Sequence, residues 1–138
     1  MEYRIIIPGK PIAKKRPRFA RRGKFVVTYS DQETEEGKAL FHIQQQWKEA
    51  PITGPVTLKL FFAMPVPDST SNKKKVAMIQ DEIHHVKKPD LDNLIKFVKD
   101  CGNEIIWKDD SQIIELSAKK FYGENPSTVI LLKRVTGE

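Results

Sequence analysis

Two periods organise the apolar residues of this chain. Val56, Leu58, Leu60 and Phe62 alternate with Thr57, Lys59 and Phe61, the signature of a half-buried strand over 56–63. Leu91, Leu94, Ile95, Val98 and Cys101 instead recur at i, i+3, i+4, i+7 and i+10, one continuous stripe of a helix that begins near Asp90 and ends near Gly102. Leu40, Ile43, Gln44 and Trp47 repeat the helical spacing and predict a second long helix over 31–49, started by Ser30-Asp31 and closed by Pro51 and Gly54-Pro55. Glu33, Glu35 and Glu36 fall in its first turns, where the helix dipole favours negative charge.

Shorter apolar runs supply the remaining strands. Ile5-Ile6-Ile7, stopped by Pro8-Gly9, predicts a buried strand over 2–7, and the β-branched and aromatic run Phe25–Tyr29 predicts another. Two more are expected over 112–122 and 129–135, separated by the turn at Glu124-Asn125-Pro126-Ser127. Residues 64–88 read as a polar excursion with Lys73-Lys74-Lys75 in a solvated loop and a short helix within 76–83. The pattern predicts an α+β fold, a mixed sheet with two principal helices packed on it. At 138 residues, a single domain spanning 1–138 is expected.

Charge alters this picture because it is unevenly placed. The chain carries a formal +6, yet the segment 10–24 alone holds eight basic residues and no acidic one, leaving the other 123 residues at −2. Pro11, Pro17 and Gly23 punctuate that segment, so an extended basic arm is expected. A localised block of this kind points to a polyanionic partner, and Lys14, Lys15, Arg16, Arg18, Arg21 and Arg22 are the candidate phosphate contacts. No apolar run approaches the roughly 20 residues of a membrane span, and Ile5–Ile7 is too short for a signal-peptide core. One cysteine excludes an intrachain disulfide and a Cys-rich zinc site, so a cytoplasmic protein without membrane contact is expected.

Candidate chemistry lies in residues 84–120. Pro89 sets a helix boundary, making Asp90 an N-cap, and a cap residue can converge with Asp92 although helical residues two apart diverge. Lys96 follows Asp92 by one turn on the same polar face. A second acidic pair, Asp109-Asp110, stands a short loop beyond the helix, and a loop that doubles back over 102–109 would bring three carboxylates into one pocket. Such a cluster needs cations between its members, and magnesium suits oxygen ligands, water and phosphate together. Strand parity groups Asp110 with Gln112, Ile114, Leu116 and Ala118 on the apolar, helix-covered side, favouring Asp110 over Asp109 as the ligand, and by the same parity Lys120 faces the site as a further candidate DNA contact. Lys96 would stabilise charge developing on a scissile phosphate.

Lys88-Pro89-Asp90-Leu91-Asp92-Asn93-Leu94-Ile95-Lys96, followed by Trp107-Lys108-Asp109-Asp110-Ser111-Gln112-Ile113, resembles the RusA family of Holliday junction resolvases. The paired signature D-x-D-N-x-x-K and D-D-x-Q carries the likeness. Ile7-Pro8-Gly9-Lys10-Pro11 and Lys15-Arg16-Pro17-Arg18-Phe19 are similar to the arm of Gram-positive and phage members. The resemblance implies a homodimer that cuts four-way junction DNA with magnesium, manganese substituting, and with no small-molecule cofactor. It places the catalytic aspartates at Asp90, Asp92 and Asp110, all three metal-binding, and the essential lysine at Lys96. Where some members carry an arginine before the first aspartate this chain has Pro89, with Lys87 and Lys88 just upstream as candidate DNA contacts. Two other readings stay open: a metal-dependent nuclease of flaps or forks, and a junction-binding protein that cuts nothing. His84 and His85 are expected to be solvated or packed rather than metal ligands, and Cys101, Trp47 and Trp107 to be core.

Overall fold

The computed structural model describes residues 2–15, 18–22, 25–29 and 33–135, with side chains described for 2–15 and 34–135. Strands β1 (Glu2–Pro8), β4 (Val56–Met64), β5 (Ile113–Tyr122) and β6 (Ser127–Arg134) form one sheet in the order β1-β6-β4-β5. β4 and β5 are parallel, whereas β6 runs antiparallel to both β1 and β4. A parallel pair needs a crossover, and α2 (Asn72–Ile79) and α3 (Leu91–Gly102) lie in the one between β4 and β5. α1 (Glu33–Gln46) precedes β4. β2 (Arg18–Arg22) and β3 (Phe25–Tyr29) pair as a separate two-stranded ribbon.

The alternation expected in β4 is realised: Val56, Leu58, Leu60 and Phe62 are all buried. Register lines them up with neighbours across the sheet, Leu60 with Ile130 and Ala118, Leu58 with Leu132 and Leu116, Phe62 with Thr128 and Lys120. The helices add Ala39 and Ile43 from α1 and Leu94, Phe97, Val98 and Cys101 from α3 to the same core cluster. Helix packing of this kind, rather than helix propensity, is what holds elements this short. At the β1 edge, the Gln46 amide stands in for a strand neighbour, donating to the Ile6 carbonyl (2.7 Å) while its oxygen accepts from the Ile6 N–H (2.8 Å).

Four sequence expectations change. The basic arm is not wholly extended loop, because Arg18–Arg22 forms β2 of the ribbon. The helix in the polar excursion begins earlier, at Asn72, where the Ser71 hydroxyl accepts from the Lys74 N–H as an N-cap; Lys73-Lys74-Lys75 is therefore helical. It makes a third helix beside the two principal ones. Parity along β5 is broken by a register shift: Val56 pairs with Ile113 and Thr57 with Glu115, so Ile114 has no partner and stands 63% exposed. Finally, Asp110–Gln112 is a 3₁₀ turn, not strand, so the alternation used to orient Asp110 does not reach it. Ser30 and Asp31, the expected cap of α1, lie outside the described residues.

Candidate active site

α3 starts where Pro89 obliges it to. Asp90 is the N-cap, extended at φ −70 and ψ 142, and its carbonyl accepts from the Asn93 and Leu94 N–H groups at 3.2 Å. Its side chain makes no capping bond. That carboxylate is exposed, as is that of Asp92 in the first turn, and the helix dipole favours both there. Lys96, one turn further, is exposed too. Among the described residues, no hydrogen bond or ion pair involves the Asp90, Asp92 or Lys96 side chain.

Beside Asp90 opens a cleft of about 540 Å³ lined by Lys10, Lys14, Lys15, Lys88, Pro89, Asp90 and Asn93. The base of the basic arm is stitched to α3 by the Lys14 N–H donating to the Asn93 carbonyl at 2.9 Å. The Lys14 ammonium also pairs with Asp100 (3.0 Å) and Glu36 (3.2 Å), joining the arm to both principal helices. Burial acts to depress the Lys14 pKa, but the bonds to Asp100 and Glu36 outweigh it, and the pKa rises. Lys15 pairs with Glu35 at 3.7 Å. Arg16 and the side chains of Arg18, Arg21 and Arg22 lie outside the described residues.

Asp110 reaches the same helix at its other end. Its carboxylate lies 3.9 Å from Lys99 Nζ, and Lys99 belongs to the last turn of α3. The expected doubling back over 102–109 does not happen. The chain turns tightly instead: the Ile105 and Ile106 N–H groups donate to the Gly102 carbonyl, and the Glu104 N–H to that of Trp107 at 2.7 Å. Among the described residues, no three His, Cys, Asp or Glu side chains stand close enough to hold one metal ion, so Asp90, Asp92 and Asp110 do not form a single pocket within the chain. The Asp110–Lys99 pair is long and part-exposed on both sides, a geometry that contributes little and yields easily.

The turn that carries Asp110 is tightly built. Asp109 caps it, accepting from the Ser111 N–H at 2.9 Å, and Ser111 hydrogen bonding, side chain first and then main chain, holds the Asp109 pKa below the usual carboxylate range. The Gln112 oxygen accepts from the Asp109 N–H at 2.8 Å, and its amide donates to the carbonyls of Ile52 (2.7 Å) and Gly54 (2.8 Å). Gln112 is thus the structural member of the D-D-x-Q run, a role that the sequence signature contains but does not explain. Asp109 is exposed and acts as a cap.

Other candidates resolve simply. Trp107, Trp47 and Cys101 are buried, and burial pushes the Cys101 thiol up to about 12, which makes it inert. His84 Nδ1 lies 3.2 Å from Asp81, itself bonded to Lys119 at 2.8 Å. His85 is buried against the Tyr122 ring, centroids 5.1 Å apart. Lys87 and Lys88 are exposed. Lys120 does face the site side, but its ammonium donates to the carbonyls of Lys87 (2.7 Å) and Pro89 (2.8 Å).

Magnesium binds through one or two carboxylates and keeps several waters that substrate phosphate can replace. Two exposed carboxylates without partners among the described residues at the start of α3, and a third in a weak pair, fit that requirement. A carboxylate face next to a lysine-lined cleft is the kind of surface that metal-assisted nucleases use on a phosphate backbone. The family comparison agrees: residues 8–133 match the model of endodeoxyribonuclease RusA, and the chain belongs to that family. It is also similar to the uncharacterized protein YqaN of Bacillus subtilis (strain 168), 34% identical over 137 residues and covering 96% of each chain.

Proposed function

We propose that this chain is a magnesium-dependent endodeoxyribonuclease that resolves four-way DNA junctions by paired symmetric nicks, acting as a homodimer. The observation that carries the reading is the start of α3 with Asp90, Asp92 and Lys96, exposed and unpartnered among the described residues, beside a cleft edged by Lys10, Lys14, Lys15 and Lys88 in a chain of the RusA family. A twofold dimer would offer two such faces, one for each strand to be cut.

In this reading the backbone is gripped first by the basic arm with Lys87 and Lys88, where each phosphate contact releases a counterion. Asp90 and Asp92 would hold the metal from the start of α3, and Asp110 would complete the set only by giving up its weak pair with Lys99. Bound there, magnesium, or manganese in its place, would supply an activated water and neutralise charge on the phosphate oxygens. Lys96, one turn from Asp92, stabilises the charge that develops as the phosphodiester is attacked.

The test incubates the purified protein with a synthetic four-way junction, a flap and a linear duplex, with and without magnesium. Paired symmetric nicks confined to the junction are expected. Equal cutting of the flap would replace junction resolution by a broader nuclease activity, and binding without cutting in either metal would overturn the enzymatic reading.

A further inference from the structure

The segment that delivers Asp90 to α3 is held in an unusual way. Among the described residues, the main chain of 84–89 makes no hydrogen bond to any main-chain group outside it, and the first such contact downstream is the Asp90 carbonyl inside the helix start. A short run that precedes an active carboxylate and lacks a ladder or turn bond is expected to wander. Besides His84, whose Nδ1 lies 3.2 Å from Asp81, two contacts restrain it. His85 is buried against Tyr122, and the Lys120 ammonium takes the carbonyls of Lys87 and Pro89, on either side of Lys88 and immediately before Asp90.

Lys120 is well placed for that task and poorly placed for phosphate. Its register partner is Phe62, a buried core residue in the middle of the sheet, so the side chain rises from a rigid base on the helix-facing side. Two of the three ammonium N–H groups are engaged by carbonyls at 2.7 and 2.8 Å. Lys119, the residue before it, points the other way and binds Asp81.

We propose that Lys120 is a positioning residue for Asp90: it acts through the Lys87 and Pro89 carbonyls and fixes where the Asp90 carboxylate stands. The inference rests on the nuclease reading of Asp90, and it deepens that reading by giving the metal-side carboxylate a support of its own. Supports of this kind change metal affinity or activity by about 10- to 100-fold when removed, without touching substrate.

The experiment compares Lys120→Met, which keeps the length and loses the donors, with Lys120→Arg, which keeps donors, and with Lys119→Ala. In Lys120→Met the junction-cleavage rate at saturating DNA falls by about tenfold or more, and the magnesium needed for half-maximal rate rises. Junction affinity and its salt slope stay as in the parent, Lys120→Arg recovers most of the rate, and Lys119→Ala is unaffected. An unchanged rate in Lys120→Met, or a loss confined to DNA affinity with a shallower salt slope, would overturn the proposal and make Lys120 a phosphate contact or a bystander. Backbone amide NMR supplies a readout that needs neither DNA nor metal: resonances of 86–92 move in Lys120→Met and return in Lys120→Arg, while those of β6 stay. Unmoved resonances at 90–92 contradict the positioning role even if the protein cuts no DNA, which separates its failure from failure of the nuclease reading.

Discussion

The two ends of α3 are built on opposite principles. At its C-terminal end everything is packed: Gly102 lies so close to Trp107 that a Cβ there would stand 2.6 Å from the indole ring, Trp107 is fully buried, and Gln112 clamps the following turn to residues 52–54. At its N-terminal end Asp90, Asp92 and Lys96 face outward with no partner among the described residues, and the approach segment is held by Lys120 and by its two histidines, His84 on Asp81 and His85 against Tyr122. The rigid end anchors the helix so that the open end can leave its charges unsatisfied. Charges left unpaired in the free protein are the ones available to metal and phosphate.

Variants at the two ends should therefore differ in kind. Trp107→Ala removes a fully buried indole and is expected to lower unfolding free energy by about 3–5 kcal/mol in urea denaturation. Asp90→Asn, an exposed substitution, should stay within about 0.5 kcal/mol of the parent by the same measurement. Equal losses from the two would dissolve the contrast. Gln112→Leu strips the Ile52 and Gly54 carbonyls and the Asp109 N–H of their partner, and an intermediate loss of about 1–3 kcal/mol is expected. A loss no larger than that of an exposed substitution would show that the turn carrying Asp110 holds itself.

The smallest effect concerns His85, whose pKa is lowered by burial and then by the nearby charges of Lys120 and Lys87. A histidine with a depressed folded-state pKa is neutral in the fold and takes up its proton more readily when unfolded. Stability is then fully retained above the unfolded value of about 6.5 and declines as pH falls from there toward the folded value. Melting temperatures measured from pH 7.5 to 5 should show that decline, and His85→Phe should flatten it. Asp81 and Asp109, both held below the usual carboxylate range, act only at lower pH and leave that window clear. An identical slope in His85→Phe would remove His85 from the account.

Much of this was legible beforehand. The period-2 run of β4 and the helical stripe of α3 reported directly on burial, since one face of β4 and the inner face of α3 share the same core. The placement of Asp90, Asp92 and Lys96 at the start of α3 followed from the helix boundary at Pro89. What escaped was long-range or irregular. Parity could not orient Asp110, because a bulge at Ile114 and a 3₁₀ turn at 110–112 interrupt the alternation. Lysines were alike in the charge count, yet Lys14 joins Glu36 and Asp100 and Lys120 binds two carbonyls, partners 22 to 86 residues away that no local pattern announces.

If the open end of α3 is the part that cuts DNA, its aspartates are needed for cleavage and not for binding. Asp92→Asn tests it with one atom changed per side chain, assayed in magnesium for junction binding and for junction cleavage side by side. Parental binding is expected, with cleavage reduced by about 100-fold or more, the scale on which a lost transition-state contact is felt. Cleavage at the parental rate in that variant would contradict it.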